Sequence, residues 1–403
     1  MNMGNEKVIN AKITYHLLLF GLIWVVILYD IIQYYCSFPY IDELFAAFIA
    51  VLALFRRRRS YYIREYLICG GIFLFFLLYS LFYGTNVREA VWTDFLLQFK
   101  PYVVFYSVCL LNLRLDSYYK KKLNKWCLRL GLLMIPFGFL TQYGVITSDA
   151  GGPRFTSMVS IIGLLYLYSS PRTKKDILIT FAIWTIAFIP MKSKFFGFYA
   201  LALFLFYGIG NKRIKLNLKY LCFGIIALVL VYFAAYEKFS FYFLEGSQSE
   251  TMFARPALYY GALEILKDYF PFGSGFGSYG SYASAEWFSS LYWSMSITRF
   301  SELSDGLFLC DTFFPSLAQF GVVGVGLFVC FWWRRLKEFN SCYSLDNVYI
   351  YKCLFLIFGY FMIESVADTS YVQNRGLFMF LTMAIFMNEL RARQSIKIIN
   401  KIK

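Results

Sequence analysis

Histidine is nearly missing from this chain. His16 is the only one in 403 residues, which removes zinc or haem chemistry built on imidazole from consideration. The nine cysteines are scattered, with no C-x-x-C pair and no metal-ligand spacing, so no cofactor is expected. Cys36 and Cys310 could both stand near one face, but no spacing rule pairs them. Charge is scarce too. Only 16% of residues are charged, where soluble domains carry about a quarter, so a soluble globular protein is excluded. Strict apolar/polar alternation is also lacking, which excludes a lipid-facing strand barrel.

What fills the chain is hydrophobic: 59% of residues, and 22% aromatic. Apolar stretches of about 18 to 23 residues recur, the length that crosses a hydrocarbon core of about 30 Å. Lipid cannot satisfy backbone polar groups, so these stretches are expected as helices. The first apolar run is long and no small-residue cleavage site follows it, so it reads as a permanent helix. The expected class is an all-α polytopic integral membrane protein with about twelve spans. They fall near 13–35, 38–55, 66–83, 95–112, 126–143, 155–170, 177–191, 195–210, 220–236, 313–333, 348–366 and 376–390. Nine spans thus occupy 1–236, a large outer-side (periplasmic) loop 237–312, and three spans and a tail 313–403.

Charge tests that arrangement. With the N-terminus inside, most of the 39 Lys and Arg fall on the cytoplasmic side and most of the 24 acidic residues on the outer side. The basic runs Arg56–Arg59 and Lys120–Lys122 then serve as topogenic anchors that touch anionic lipid, so the net charge of +15 implies no nucleic-acid partner.

The long loop needs an explanation, because spans are usually joined by short ones. SQSE at Ser247–Glu250 fits a helix-start capping box, and ARPALYYGALEILKDYF reads as an amphipathic helix stopped by Pro271. FGSGFGSYGSY holds too much glycine for a helix and reads as a turn-rich connection. A second, aromatic-rich helix is expected over about 284–302, where Trp287, Tyr292 and Trp293 could stack on sugar rings. Residues 84–94 read as an amphipathic stretch on the surface.

Basic residues gather at the outer ends of the spans, against the positive-inside trend: Lys100, Arg154, Lys192, Lys194, Arg255, Lys267, Arg299 and Arg375. Ionisable groups at membrane depth cost about 3 kcal/mol and normally face a polar cavity or a partner. The plain reading of those at span ends is snorkelling to the interface. The functional reading is an anion site, with Arg binding phosphate bidentately and Lys supplying a point charge. Asp149, Glu302, Asp305, Asp311, Glu364 and Asp368 lie near the same face. Asp311 stands just before a span, where desolvation would raise its pKa toward that of a usable base.

This arrangement resembles the O-antigen polymerase and ligase superfamily of bacterial glycan assembly. ARPALYYGALEILKDYFPFGSGFGSY is similar to that family's Arg-led helix, proline and glycine connection. DTFFPSLAQFGVVGVG resembles its returning helix, GGPRFTS its Arg-bearing span entrance, and KSKFFGFYALALF the start of the next helix. The resemblance implies a glycosyltransferase at the outer face of the bacterial inner membrane. Its donor would be an undecaprenyl-diphosphate-linked glycan, and membrane lipid and a chain-length regulator protein would be partners. It also implies essential arginines at the positions of Arg154 and Arg255. The family's ligases carry a histidine before the returning helix; Asp311 stands near there, which favours a polymerase. The Arg-x10-Gly pattern of some polymerases is not matched, since Leu266 stands eleven residues after Arg255. Arg154, Arg255 and Asp311 are thus the candidate catalytic residues, and Lys192, Lys194 and Arg299 the candidate substrate-binding ones. A ligase-type transferase and a non-enzymatic flippase stay open as alternatives; a flippase would usually show two related halves, and no repeat is visible.

Overall fold

The structure is a computed structural model that describes residues 3–55, 62–143, 151–214, 254–295 and 308–402. Among these residues every regular element is helical. The helices are α1 (Met3–Phe20), α2 (Tyr29–Cys36), α3 (Ile41–Phe55), α4 (Tyr62–Tyr83), α5 (Arg88–Leu111), α6 (Ser117–Gln142), α7 (Gly151–Ser169), α8 (Lys174–Thr185) and α9 (Ser193–Leu203). After the break come α10 (Ala254–Asp268), α11 (Tyr282–Glu286), α12 (Ser290–Ser294), α13 (Phe313–Ser316), α14 (Gly321–Ser341), α15 (Val348–Ser365) and α16 (Asn374–Ile402).

Among the described residues six helical stretches are long and apolar enough to cross a bilayer: Val8–Ile27, Tyr62–Tyr83, Arg88–Leu111, Ser117–Gln142, Phe313–Ser341 and Leu345–Ser365. The first is continuous because a π-helical stretch, Gly21–Ile27, carries α1 onward. Ser193–Gly208 is apolar but shorter. The helix-forming stretches follow the apolar runs of the sequence, as a membrane-embedded α-helical protein requires. The expected span 220–236, the capping box at 247–250 and the basic run 56–59 lie outside the described residues.

Two helices form the centre. α5 packs against α3, α4 and α16. The apolar part of α16 is sealed, with Leu377 to Leu381 and Met383 to Met387 almost wholly buried. Its 376–390 stretch is therefore wrapped by protein rather than lipid. α6 pairs with α7, α7 with α8, and α9 with α15. α4 is the opposite case: Leu67, Leu74, Phe75, Leu78 and Phe82 are exposed, the face an apolar helix turns to bilayer.

Residues 84–94 lie at the surface with one face only, Val87, Arg88, Glu89 and Trp92 being exposed. Residues 88–94 are the first turns of α5, and Ala90, Val91 and Asp94 are buried. The cause is the glycine segment, which sits on them. Gly277 N donates to Asp94 Oδ2 at 2.8 Å, Phe276 N to Ser80 Oγ at 2.8 Å, and Gly275 N to the Gln319 carbonyl at 2.8 Å. Gly273 and Gly321 approach so closely that a Cβ at Gly273 would fall 2.3 Å from Gly321 N. The segment thus fastens the entry of α14 onto α4 and α5. Its N–H groups are spent on that task and do not form an anion cradle.

The amphipathic helix expected after Arg255 is present as α10. The single helix expected over 284–302 is not. Ser281 caps α11 in a reciprocal box with Ser284, Ser289 caps α12, and Phe288 between them adopts φ 22°. Local side-chain caps therefore break the run into two short helices; residues beyond 295 lie outside the described region.

Candidate functional site

One layer of the molecule gathers the ionisable side chains that the sequence placed at span ends. Each cation there comes from the first turn of a helix or the segment before it: Arg154 from α7, Lys192 and Lys194 from the start of α9, Arg255 from α10 and Arg375 from α16. The carboxylates come from Asp30 on α2, Asp311 before α13, Glu364 at the end of α15, and Asp368 in the link to α16.

The pairings form a chain. Arg255 binds Asp311 through Nε at 2.7 Å and Nη2 at 2.6 Å, a two-pronged contact to one carboxylate oxygen. Asp311 lies within electrostatic reach of Lys194 and Asp368. Lys194 Nζ sits 2.7 Å from Asp368 and 2.9 Å from Glu364. Asp368 also accepts from Arg375 Nη2 at 2.8 Å, and Arg375 is further held by Gln373 Oε1 at 2.6 Å. Asp30 lies within electrostatic reach of Arg375 and is the salt-bridge partner of Arg154. Asn374 Nδ2 donates to the Val25 carbonyl at 2.6 Å, which ties the start of α16 to the break that carries Asp30.

Burial is graded along that chain. Arg375 and Glu364 are each 6% exposed at the side chain, Arg255 29% and Asp311 32%. The middle is therefore protein-enclosed while both ends open outward, Arg255–Asp311 at one and Arg154, 35% exposed, at the other. Burial raises the Asp311 pKa above the ordinary 3.8, and Arg255 pulls it only part of the way back. At Asp368 burial acts the same way but is outweighed by Arg375 and Lys194, which hold its pKa below the ordinary value. Two carboxylates on neighbouring elements thus stand on opposite sides of their usual range, the pattern that separates a proton acceptor from a fixed charge.

Lys192 is different. Its stem lies against Gly152, where a Cβ would fall 2.2 Å from the lysine Cε, so a larger residue there would push the end of the lysine aside. No carboxylate pairs with Lys192 among the described residues. In the deep part, Arg375 Nη1 and the hydroxyls of Thr312, Ser365 and Ser370 are buried without a hydrogen-bond partner among the described residues. Buried donors of this kind are normally satisfied by something.

The structure brings Arg255, Asp311 and Lys194 together and carries Arg154 on the same chain through Asp30 and Arg375. Lys192 stands beside Gly152, two positions before Arg154. Arg299, with Asp149, Glu302 and Asp305, lies outside the described residues. Lys100 has partners of its own, buried between α3 and α5, 2.5 Å from Asp42 and 2.6 Å from Glu43. Cys36 and Cys310 are free thiols. Trp287 and Trp293 are exposed, while Tyr292 is buried and spends its hydroxyl on Gly280 N at 2.8 Å and Ser284 at 2.8 Å, so it offers no sugar platform.

Sequence reasoning passed over Asp30 and did not assign roles to Glu364, Asp368 or Arg375. The signal for Asp30 was present, since it is a carboxylate inside an expected span and such residues face a partner or cavity. Comparison with protein-family models and with curated proteins gives no match.

Proposed function

We propose that this chain is a polymerase of undecaprenyl-diphosphate-linked oligosaccharide repeat units, working at the outer face of the bacterial inner membrane. The reading includes the twelve-span arrangement and an outer-side loop over 237–312. The observation that carries it is the linked cluster Arg255–Asp311, Lys194–Asp368–Arg375 and Arg154–Asp30, contributed by six separated parts of the chain. A donor diphosphate is an anion with many acceptor oxygens, and arginine and lysine recognise such groups.

In this mechanism the acceptor sugar hydroxyl attacks the anomeric carbon of the donor glycan. The bond from that carbon to the diphosphate oxygen breaks, and its electron pair leaves with the lipid diphosphate. Asp311 takes the proton of the attacking hydroxyl, a role suited to its raised pKa. Arg255, Arg154 and Lys194 stabilise the charge that develops on the diphosphate, and Lys192 makes the first contact with it. Attack opposite the leaving group inverts the anomeric centre. Binding requires the arginines to exchange carboxylates for phosphate oxygens, and the half-buried Arg255–Asp311 and Arg154–Asp30 pairs are placed to open before the enclosed middle. Release of Arg255 from Asp311 would also free the base, so the two events support each other.

The test is the size distribution of surface glycan in cells lacking the gene. Complementation would use wild type, Arg255→Ala and Asp311→Ala at matched protein levels. Glycan capped by single repeat units in the null strain, extended to a ladder by wild type and not by the variants, is the expected result. Loss of all surface glycan, single units included, would point instead to ligation or flipping.

A further inference from the structure

Away from the charged layer, α4, α5 and α14 enclose a groove of about 260 Å³. Its walls are apolar and largely aromatic, with Ile68 on α4 and Leu327 and Phe328 on α14 among them. A cavity of that character excludes water and takes hydrocarbon. The flanking faces agree: Ile68, Leu74 and Phe75 on α4, and Val322 and Val329 on α14, are exposed apolar side chains of membrane-length helices.

The two ends of the groove are unlike. One is shut by aromatic rings: Phe276 of the glycine segment packs 4.7 Å from Phe320, and Phe320 packs 5.4 Å from Phe76. The other opens beside Glu65, Arg334 and Arg335. Arg335 is committed there, bridging Glu65 and Glu338, and Arg391 also pairs with Glu338. Arg334 is exposed at the mouth and has no carboxylate partner among the described residues. From Glu65 to Phe76 the helix rises about 16 Å, close to half of a hydrocarbon core of about 30 Å. The groove is therefore one leaflet deep, closed at the midplane side and cationic at its mouth.

We infer that this groove binds one acyl chain of an anionic phospholipid, whose phosphate sits on Arg334. The basic ends of α4 and α14 mark that mouth as the cytoplasmic leaflet, where anionic lipids concentrate. A lipid whose charged group lies at the opposite face has no path in from there, because Phe276 and Phe320 block that end. The site is separate from the proposed polymerase centre and stands whether or not that reading holds.

The experiment uses the full chain in lipid nanodiscs containing phosphatidylglycerol or phosphatidylcholine, each with a photoactivatable group on an acyl chain, and maps crosslinked peptides by mass spectrometry. Phosphatidylglycerol should label α4 and α14 at groove residues such as Ile72 and Leu327 several-fold more than phosphatidylcholine does. Arg334→Glu, on an exposed side chain, should erase that preference while the protein stays folded, and Cys330→Trp should lower groove labelling by both probes. Equal labelling by both lipids would overturn the assignment. So would labelling confined to the outward faces, or stronger groove labelling by a photoactivatable polyisoprenyl phosphate, which would make a carrier tail the occupant.

Discussion

Asp368 is the keystone of the charged layer, and Asp368→Asn tests whether that layer is truly enclosed. Its carboxylate holds Lys194 at 2.7 Å and Arg375 at 2.8 Å, cations from helices far apart in sequence. Breaking a buried pair by removing one partner costs about 3–5 kcal/mol, mostly through the charge left uncompensated. Lys194 keeps Glu364 at 2.9 Å, so its share of the loss is small. Arg375 keeps its hydrogen bond to the neutral Gln373 carbonyl, at 2.6 Å, with Glu364 and Asp30 only within electrostatic reach, and is 6% exposed. The expected cost is therefore at the lower end, about 3 kcal/mol. At roughly 2 °C per kcal/mol for a long chain, Tm should fall by about 6 °C in a thermal melt of the purified protein. Adding Arg375→Gln should recover part of the loss, because it removes the stranded charge. pH supplies a second arm. The folded pKa of Asp368 is depressed below 3.8, so its stabilisation is complete above that value and is lost as pH falls toward the folded pKa. The variant lacks this acid-side step. A change in Tm below about 1 °C, with no rescue by the double variant, would refute the enclosed network.

The remaining predictions address the glycine fastener, the base and the anion contacts. Gly273→Ala must place a Cβ 2.3 Å from Gly321 N at φ 77° and should sharply reduce the yield of folded protein, whereas Gly326→Ala meets nothing within 4 Å and should express normally. Polymer synthesis in isolated membranes should decline as pH falls through the raised Asp311 pKa, since the base works deprotonated; Arg255→Gln removes a charge that lowers that pKa, so the inflection should move upward. Arg255→Ala should lower the rate by about 10²-fold at saturating donor, the scale for one lost electrostatic donor. Lys192→Ala should weaken binding of the donor diphosphate, read as a raised KM with kcat retained, because it has no carboxylate to release among the described residues.

Helix placement was legible because apolar length is a one-dimensional signal. The runs that became α4, α5, α6 and α14 announce themselves by composition alone. What composition could not reveal is which faces meet protein. The 376–390 stretch and the α4 stretch both read as spans in the sequence, yet the first is buried throughout and the second displays Leu67 and Phe82. What covers the buried face at the start of α5 was hidden for a related reason. Its amphipathic pattern is satisfied by a long-range contact, Asp94 with Gly277, and no local periodicity encodes a partner so distant in the chain. Arg154, Lys194, Arg255 and Asp311 were visible as charges in improbable places. Their pairings were not, since a salt bridge such as Lys194–Asp368 depends on how α9 and α15 pack.

Those pairings change the physical picture of the site. A cluster of free cations at membrane depth would bind any anion and would cost several kcal/mol per charge to bury. Here Arg154, Lys194, Arg255 and Arg375 each come with a carboxylate, so the layer can be built inside apolar surroundings. The carboxylates also hold the guanidinium and ammonium groups in place before any ligand arrives, which reduces the ordering cost of binding. An occupant must then offer more than charge: it has to replace Asp311 or Asp368 oxygen for oxygen and satisfy the unbonded Arg375 Nη1. A diphosphate can present several oxygens to several cations at once, and a monovalent anion cannot. Preference for a multidentate anion is then expected from these paired cations, and competition by pyrophosphate but not by chloride or acetate at equal ionic strength is its measurable consequence.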